Sequence, residues 1–161
     1  MSNSGRGLGR WIRRQSEVRL AVGVDIEASP ERIWSELVDF ASHTEWMKDA
    51  YAIRFVNDQR EGVGVVLLIE TRVGPLRATD RFEITEVEYL KTVAGRHAGL
   101  FQGTGRFELS ETKPGLCRLR WQEQIRFPLR FGGPFGARVG RLVFARIWSG
   151  NLKALKQRIE Q

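Results

Sequence analysis

Residues 18–38 read VRLAVGVDIEASPERIWSELV, a strand run straight into a capped helix. Val18, Leu20, Val22, Val24 and Ile26 alternate with Arg19, Ala21, Gly23, Asp25 and Glu27, which is the period of a strand with one buried face. Ser29 then offers an N-cap oxygen, Pro30 suits the first helical position, and Ile33, Trp34, Leu37 and Val38 recur at helical spacing. A helix of two or three turns therefore begins here. Residues 40–48 predict a second short helix, with Ser42 as its cap and Trp46 and Met47 as its small apolar face.

Downstream, from Tyr51 to Phe127, the pattern is a meander of antiparallel strands. Residues 63–73, 76–88, 90–97, 101–112 and 116–127 read as strands. Asn57-Asp58, Glu61-Gly62, Gly74-Pro75, the region of Ala98-Gly99, and Lys113-Pro114-Gly115 supply the turn signals. Phe131-Gly132-Gly133-Pro134 ends this pattern, and Pro134 opens a helix on which Phe144, Trp148, Leu152, Leu155 and Ile159 share one face. A sheet with one apolar face needs a cover, and this last helix is the long element available. The predicted fold class is α+β, a curved antiparallel sheet wrapped around a long C-terminal helix. Two short helices follow its first strand.

Upstream, residues 1–16 are rich in Gly, Ser and Arg and read as a flexible basic arm, leaving 17–161 as a single domain. The net charge of +7 draws on this arm and on Arg138, Arg141, Arg146, Lys153, Lys156 and Arg158 near the end. Such a surface attracts phosphates, anionic lipids and acidic proteins. The arm, with Trp11 among its arginines, is a candidate contact for nucleic acid or an anionic membrane surface. One cysteine, Cys117, excludes an internal disulfide framework, and two histidines are too few for a typical metal site. Neither a bilayer-spanning apolar run nor a secretory signal is found, so the chain reads as cytoplasmic. The Gly132-Gly133-Pro134 loop lacks the spacing of a phosphate-binding motif, and no cofactor is expected.

Several of these residues carry a family resemblance. Ile26-Glu27-Ala28-Ser29-Pro30-Glu31-Arg32-Ile33-Trp34, then Asp39-Phe40 and Glu45-Trp46, resemble the START-like (SRPBCC) superfamily of helix-grip proteins, which includes polyketide cyclase/dehydrase-like and lipid-transport-like members. Gly103-Thr104-Gly105-Arg106-Phe107 and Leu119-Arg120-Trp121-Gln122-Glu123 look like that group's paired late strands, and the resemblance covers about residues 18–160. It implies a helix-grip domain with a hydrophobic cavity, and leaves the ligand and the chemistry open.

Strand parity adds polar candidates to that cavity. Cys117, Leu119, Trp121, Glu123, Ile125 and Phe127 fall on one face, so Glu123 stands among apolar neighbours, where an unpaired carboxylate is costly. Asp80 shares a face with Leu76, Ala78, Phe82 and Ile84, and His97 follows Val93 and Gly95 in the same parity. Gly103 and Gly105 leave space on theirs. Glu123, Asp80 and His97 are thus candidate proton-transfer groups. The competing reading is a structural ion pair, with Arg141, Arg72, Arg77 or Arg81 as the cation. Trp34, Trp46, Tyr51, Phe101, Phe107, Trp121, Phe127 and Phe144, with Glu123 and Arg141, are the candidate ligand-binding residues. The leading expectation is binding of a small hydrophobic molecule such as a lipid, isoprenoid or aromatic polyketide-like compound. Its alternatives are a cyclase- or dehydratase-type enzyme and an interaction module working through the arm. The pattern is silent on oligomeric state.

Overall fold

The structure is a computed structural model describing residues 17–99, 101–126 and 132–161. In chain order its elements are β1 (Glu17–Ile26), α1 (Pro30–Val38), a 3-10 turn (Phe40–Ser42), α2 (His43–Trp46), β2 (Ala50–Phe55), β3 (Val66–Val73), β4 (Leu76–Glu88), β5 (Thr92–Ala98), β6 (Gln102–Lys113), β7 (Leu116–Arg126) and α3 (Gly133–Ile159). The strands form one antiparallel sheet in the order β1-β7-β6-β5-β4-β3-β2, with α3 against its apolar face. This is the helix-grip α+β fold. α1 and α2 carry the chain from one edge strand, β1, to the other, β2.

Local chemistry explains most boundaries. Ser29 accepts a hydrogen bond from the Arg32 amide at 3.3 Å and Pro30 opens α1. The second helical segment departs from the expected form. Asp39, not Ser42, provides the side-chain cap, and the segment is a 3-10 turn followed by a single α turn ending at Trp46. β3 starts at Val66 rather than residue 63 because Gly62 and Gly64 take left-handed φ values of 76° and 96°. β5 starts at Thr92 rather than residue 90 because Leu90 also has φ 59°. Register shifts at Ala50/Ala52 in β2 and at Ile84/Glu86 in β4 are bulges, which bend strands and raise their twist.

The core lies between sheet and helices. Leu152 and Leu155 of α3 meet Ile26, Ile33, Leu37 and Leu119, and burying each leucine contributes roughly 2 kcal/mol. Polar ties fix this C-terminal half of α3. Lys156 donates to the Asp25 carbonyl at 2.7 Å, Glu160 accepts from the Glu27 amide at 2.7 Å, and Arg158 pairs with Glu36 at 2.8 Å. Asn151, fully buried, donates to Asp49 at 2.6 Å and accepts from the Lys48 amide. The helix is thus clamped at one end of the sheet. Among the described residues no helix is long and apolar enough to cross a membrane.

Candidate functional site: an apolar cavity with a buried carboxylate–histidine–carboxylate system

Four central strands place three ionisable side chains side by side. Register pairs Gly95 of β5 with Gly105 of β6, Gly105 with Glu123 of β7, and Phe82 of β4 with His97. Alternation alone points Asp80, His97 and Glu123 inward. Glycines then let them meet. A Cβ on Gly105 would lie 2.5 Å from the Glu123 carboxylate, one on Gly95 would overlap the Phe82 ring, and one on Gly99 would overlap Asp80 Oδ1. The missing side chains are therefore filled by the site's own groups.

His97 bridges the two acids. Its Nδ1 faces Asp80 Oδ2 and its Nε2 faces Glu123 Oε2 at 3.1 Å. Both partners are acceptors, so the ring must carry two protons to satisfy them. Burial alone would lower the imidazole pKa; the hydrogen bonds and negative charge of Asp80 and Glu123 outweigh it and raise His97 to about 10. Trp121 Nε1 donates to the other Glu123 oxygen at 2.8 Å, while Asp80 Oδ1 is buried without a hydrogen-bond partner among the described residues. Both ring nitrogens are spent on carboxylates, and no metal-holding group of His, Cys, Asp and Glu is found among the described residues.

This system forms the polar part of the wall of a cavity of about 140 Å³. The remaining wall is mostly apolar. A chain of aromatic contacts runs along it from the sheet to the helix: Phe107 to Trp121 at 5.0 Å, Trp121 stacked on Trp148 at 5.2 Å, Trp148 on Phe144 at 5.2 Å, and Phe144 edge-on to Phe101. β2 and β3 complete the wall with Ile53, Leu67, Ile69 and Val73. Met47, Asp49, Thr71 and Leu76, all only half-buried, stand at its less buried side. His43 also lines the cavity; its Nε2–H donates to the Leu37 carbonyl at 3.1 Å, and burial pushes its pKa down to about 4, so it is neutral.

The sequence candidates distribute unevenly. Phe101, Phe107, Trp121, Glu123 and Phe144 line the cavity, as do Asp80 and His97. Trp46 is buried one layer behind, edge-on to Phe107 at 6.2 Å. Trp34 packs in the core edge-on to Tyr89, away from the cavity. Tyr51 sits at the β2 bulge and is 56% exposed. Arg141 is exposed on α3, as are Arg72, Arg77 and Arg81 on the sheet, so the cation shared by the two acids is His97 and not an arginine. Phe127 and the arm, residues 1–16, lie outside the described residues. Sequence reasoning missed the contribution of β2 and β3. Its signal was available, since Leu67, Ile69, Thr71 and Val73 share one parity. Phe40 carried no such signal, because a single turn of helix has no periodicity to read.

Comparison with known proteins agrees with this geometry. The family described as polyketide cyclase/dehydrase and lipid transport matches residues 17–160. No curated protein matches the sequence. Among solved structures, the chain superposes on the Zhui aromatase/cyclase from a Streptomyces species with TM-score 0.72 at 16% identity, covering 89% of this chain and 94% of that one. A START superfamily protein from Mycobacterium smegmatis gives TM-score 0.73 at 19% identity, covering 89% and 97%. The di-domain aromatase/cyclase StfQ of the steffimycin biosynthetic pathway gives 0.75 at 14%, with 92% of this chain matching 52% of that one. At these identities the structural likeness speaks for the fold, while the sequence match spans nearly the whole chain. The chain belongs to the polyketide cyclase/dehydrase and lipid transport family.

Proposed function

We propose that the protein binds a compact, largely apolar molecule in this cavity and orients it through a hydroxyl, phenol or enol that donates to Glu123. One observation carries the reading: every side-chain N–H of His97 and Trp121, the donors beside the two carboxylates, is already spent. Both His97 nitrogens and the Trp121 indole donate to carboxylates, whereas the Glu123 oxygens keep lone pairs to spare. The polar end of the cavity therefore offers acceptors, and the matching ligand group is a donor. Size argues in the same direction. An apolar cavity of ~150 Å³ admits a benzene-sized molecule, so the enclosed part of the ligand is about one ring or a short branched chain.

A second reading, proton-transfer catalysis of the cyclase or dehydratase type, is favoured by the placement of a carboxylate beside a proton-laden imidazole on the cavity wall. Magnitude sets it second. With its pKa near 10, giving up the His97 proton at neutral pH costs about 4 kcal/mol, far from the match of pKa to working pH that favours a general acid or base.

The test is a titration of tryptophan fluorescence with 4-propylphenol and with propylbenzene, since Trp121 and Trp148 line the site. The phenol is expected to bind about tenfold tighter than the hydrocarbon, and Glu123→Gln should reduce that preference. Equal affinity for the two compounds would remove the orienting role of Glu123. Failure of both to bind would remove the cavity reading.

A further inference from the structure

The N-terminal half of α3 carries two faces. Its inner face is anchored: Ala137 is buried against Val18, with Phe101 and Phe144 packed around them. On its outer face Phe135, Val139, Leu142 and Val143 follow the i, i+4, i+7, i+8 spacing of a single helical stripe. All four are exposed, Phe135 by 74% and Leu142 by 75%. Arg138 and Arg146 flank or continue this ridge, while Arg141 lies round towards the inner stripe; all three are exposed, and none has an ion-pair partner among the described residues. In the other half two of the three cations, Lys156 and Arg158, are held by Glu160, Glu36 and Glu45, and Lys153 alone is unpaired among the described residues. No Asp or Glu occurs from residue 124 to residue 159.

We propose that this ridge docks on an anionic membrane surface, with Phe135, Val139 and Leu142 entering the headgroup boundary and Arg138 and Arg146 meeting lipid phosphates and carboxylates. Large apolar side chains set among arginines on one exposed helix face are what an interfacial helix requires. Charge chooses among the occupants. A second copy of the chain would bring two unpaired arginines against two more. Residues 1–16 would bring Arg6, Arg10, Arg13 and Arg14 and no acid. Nucleic acid would use the arginines and leave the aliphatic ridge in water. The inference is independent of what the cavity holds.

The experiment is co-sedimentation of the full chain with phosphatidylcholine vesicles, with and without phosphatidylserine. Binding is expected with phosphatidylserine and not without it. Arg138→Gln with Arg146→Gln should weaken it by about 30-fold. Phe135→Ser with Leu142→Ser should weaken it by about tenfold or more while raising solubility, because both positions are exposed and the fold does not depend on them. Absence of sedimentation overturns the proposal. So does undiminished binding by either double variant, which would place the contact elsewhere on the chain, or a concentration-dependent dimer that the Phe135→Ser/Leu142→Ser variant abolishes.

Discussion

His97→Leu should lower the unfolding free energy at neutral pH by about 4 kcal/mol, a large part of what a domain of this size possesses. The side chain removed is not large. The cost lies in what it leaves behind. Asp80 loses its one hydrogen bond, because Oδ2 meets His97 and Oδ1 has no partner among the described residues, and Glu123 keeps only the Trp121 indole. Two carboxyl groups with side chains 9% and 6% exposed then share a mostly apolar wall with no cation between them. Replacing all three groups with leucine should recover most of the loss, since removing a buried ionic cluster whole is far cheaper than breaking it. Urea unfolding followed by tryptophan fluorescence reads both effects as shifts in midpoint at unchanged slope. A His97→Leu cost below about 1 kcal/mol, or a triple variant as unstable as the single one, would show that the three groups do not act as one charged unit.

The elements of this fold were legible because their signals are local. The β7 alternation in burial from Cys117 to Ile125 can be read directly from the sequence, as can the Ser29-Pro30 start of α1. The same alternation places Asp80, His97 and Glu123 on the inner face. It cannot make them partners. That depends on lateral register across β4, β5, β6 and β7, and on glycines at 95, 99 and 105 whose empty positions are filled from neighbouring strands. Each is a relation between residues 10 to 26 apart in sequence, and parity carries no information about it.

Tyr51 and Arg141 illustrate two other limits. Period-two counting holds only along an unbroken ladder, and the bulge between Ala50 and Ala52 turns Tyr51 outward. Helical spacing fails at Arg141 for a different reason. The first half of α3 has two apolar stripes, one through Ala137, Phe144 and Trp148 and one through Phe135, Val139 and Leu142. By spacing Arg141, four residues after Ala137 and three before Phe144, belongs to the first stripe, which faces the sheet. It is exposed and does not line the cavity, because a long side chain at the flank of a buried stripe carries its guanidinium out to water.

Stability should peak near pH 6.5 and fall on both sides, because the two histidines are perturbed in opposite directions. His97 has a folded pKa of about 10 against an ordinary 6.5, so its contribution is fully present below 6.5 and is lost as pH rises through 10. His43 is held neutral by burial with a folded pKa of about 4, so the unfolded chain binds the extra proton below 6.5 and stability declines as pH falls towards 4. Across its window the His97 limb is worth about 5 kcal/mol and the His43 limb about 3 kcal/mol. Other groups can be separated by range. Asp25, Glu36 and Glu160, whose cationic partners hold them below ordinary carboxylate values, add their losses at the acid extreme, and Lys91 adds its own above the ordinary lysine value. Cys117, whose thiol burial pushes up, adds a further loss around and above the ordinary thiol value, so the stretch from about pH 7 to 8 belongs to His97 and that from about pH 5 to 6.5 to His43. His97→Gln should flatten the first and His43→Phe the second, measured as the urea midpoint against pH. A stability that stays level from pH 7 to about 8 in the unmodified chain would mean that His97 does not hold its second proton between the two carboxylates, and the charge arrangement derived for the cavity wall would be wrong.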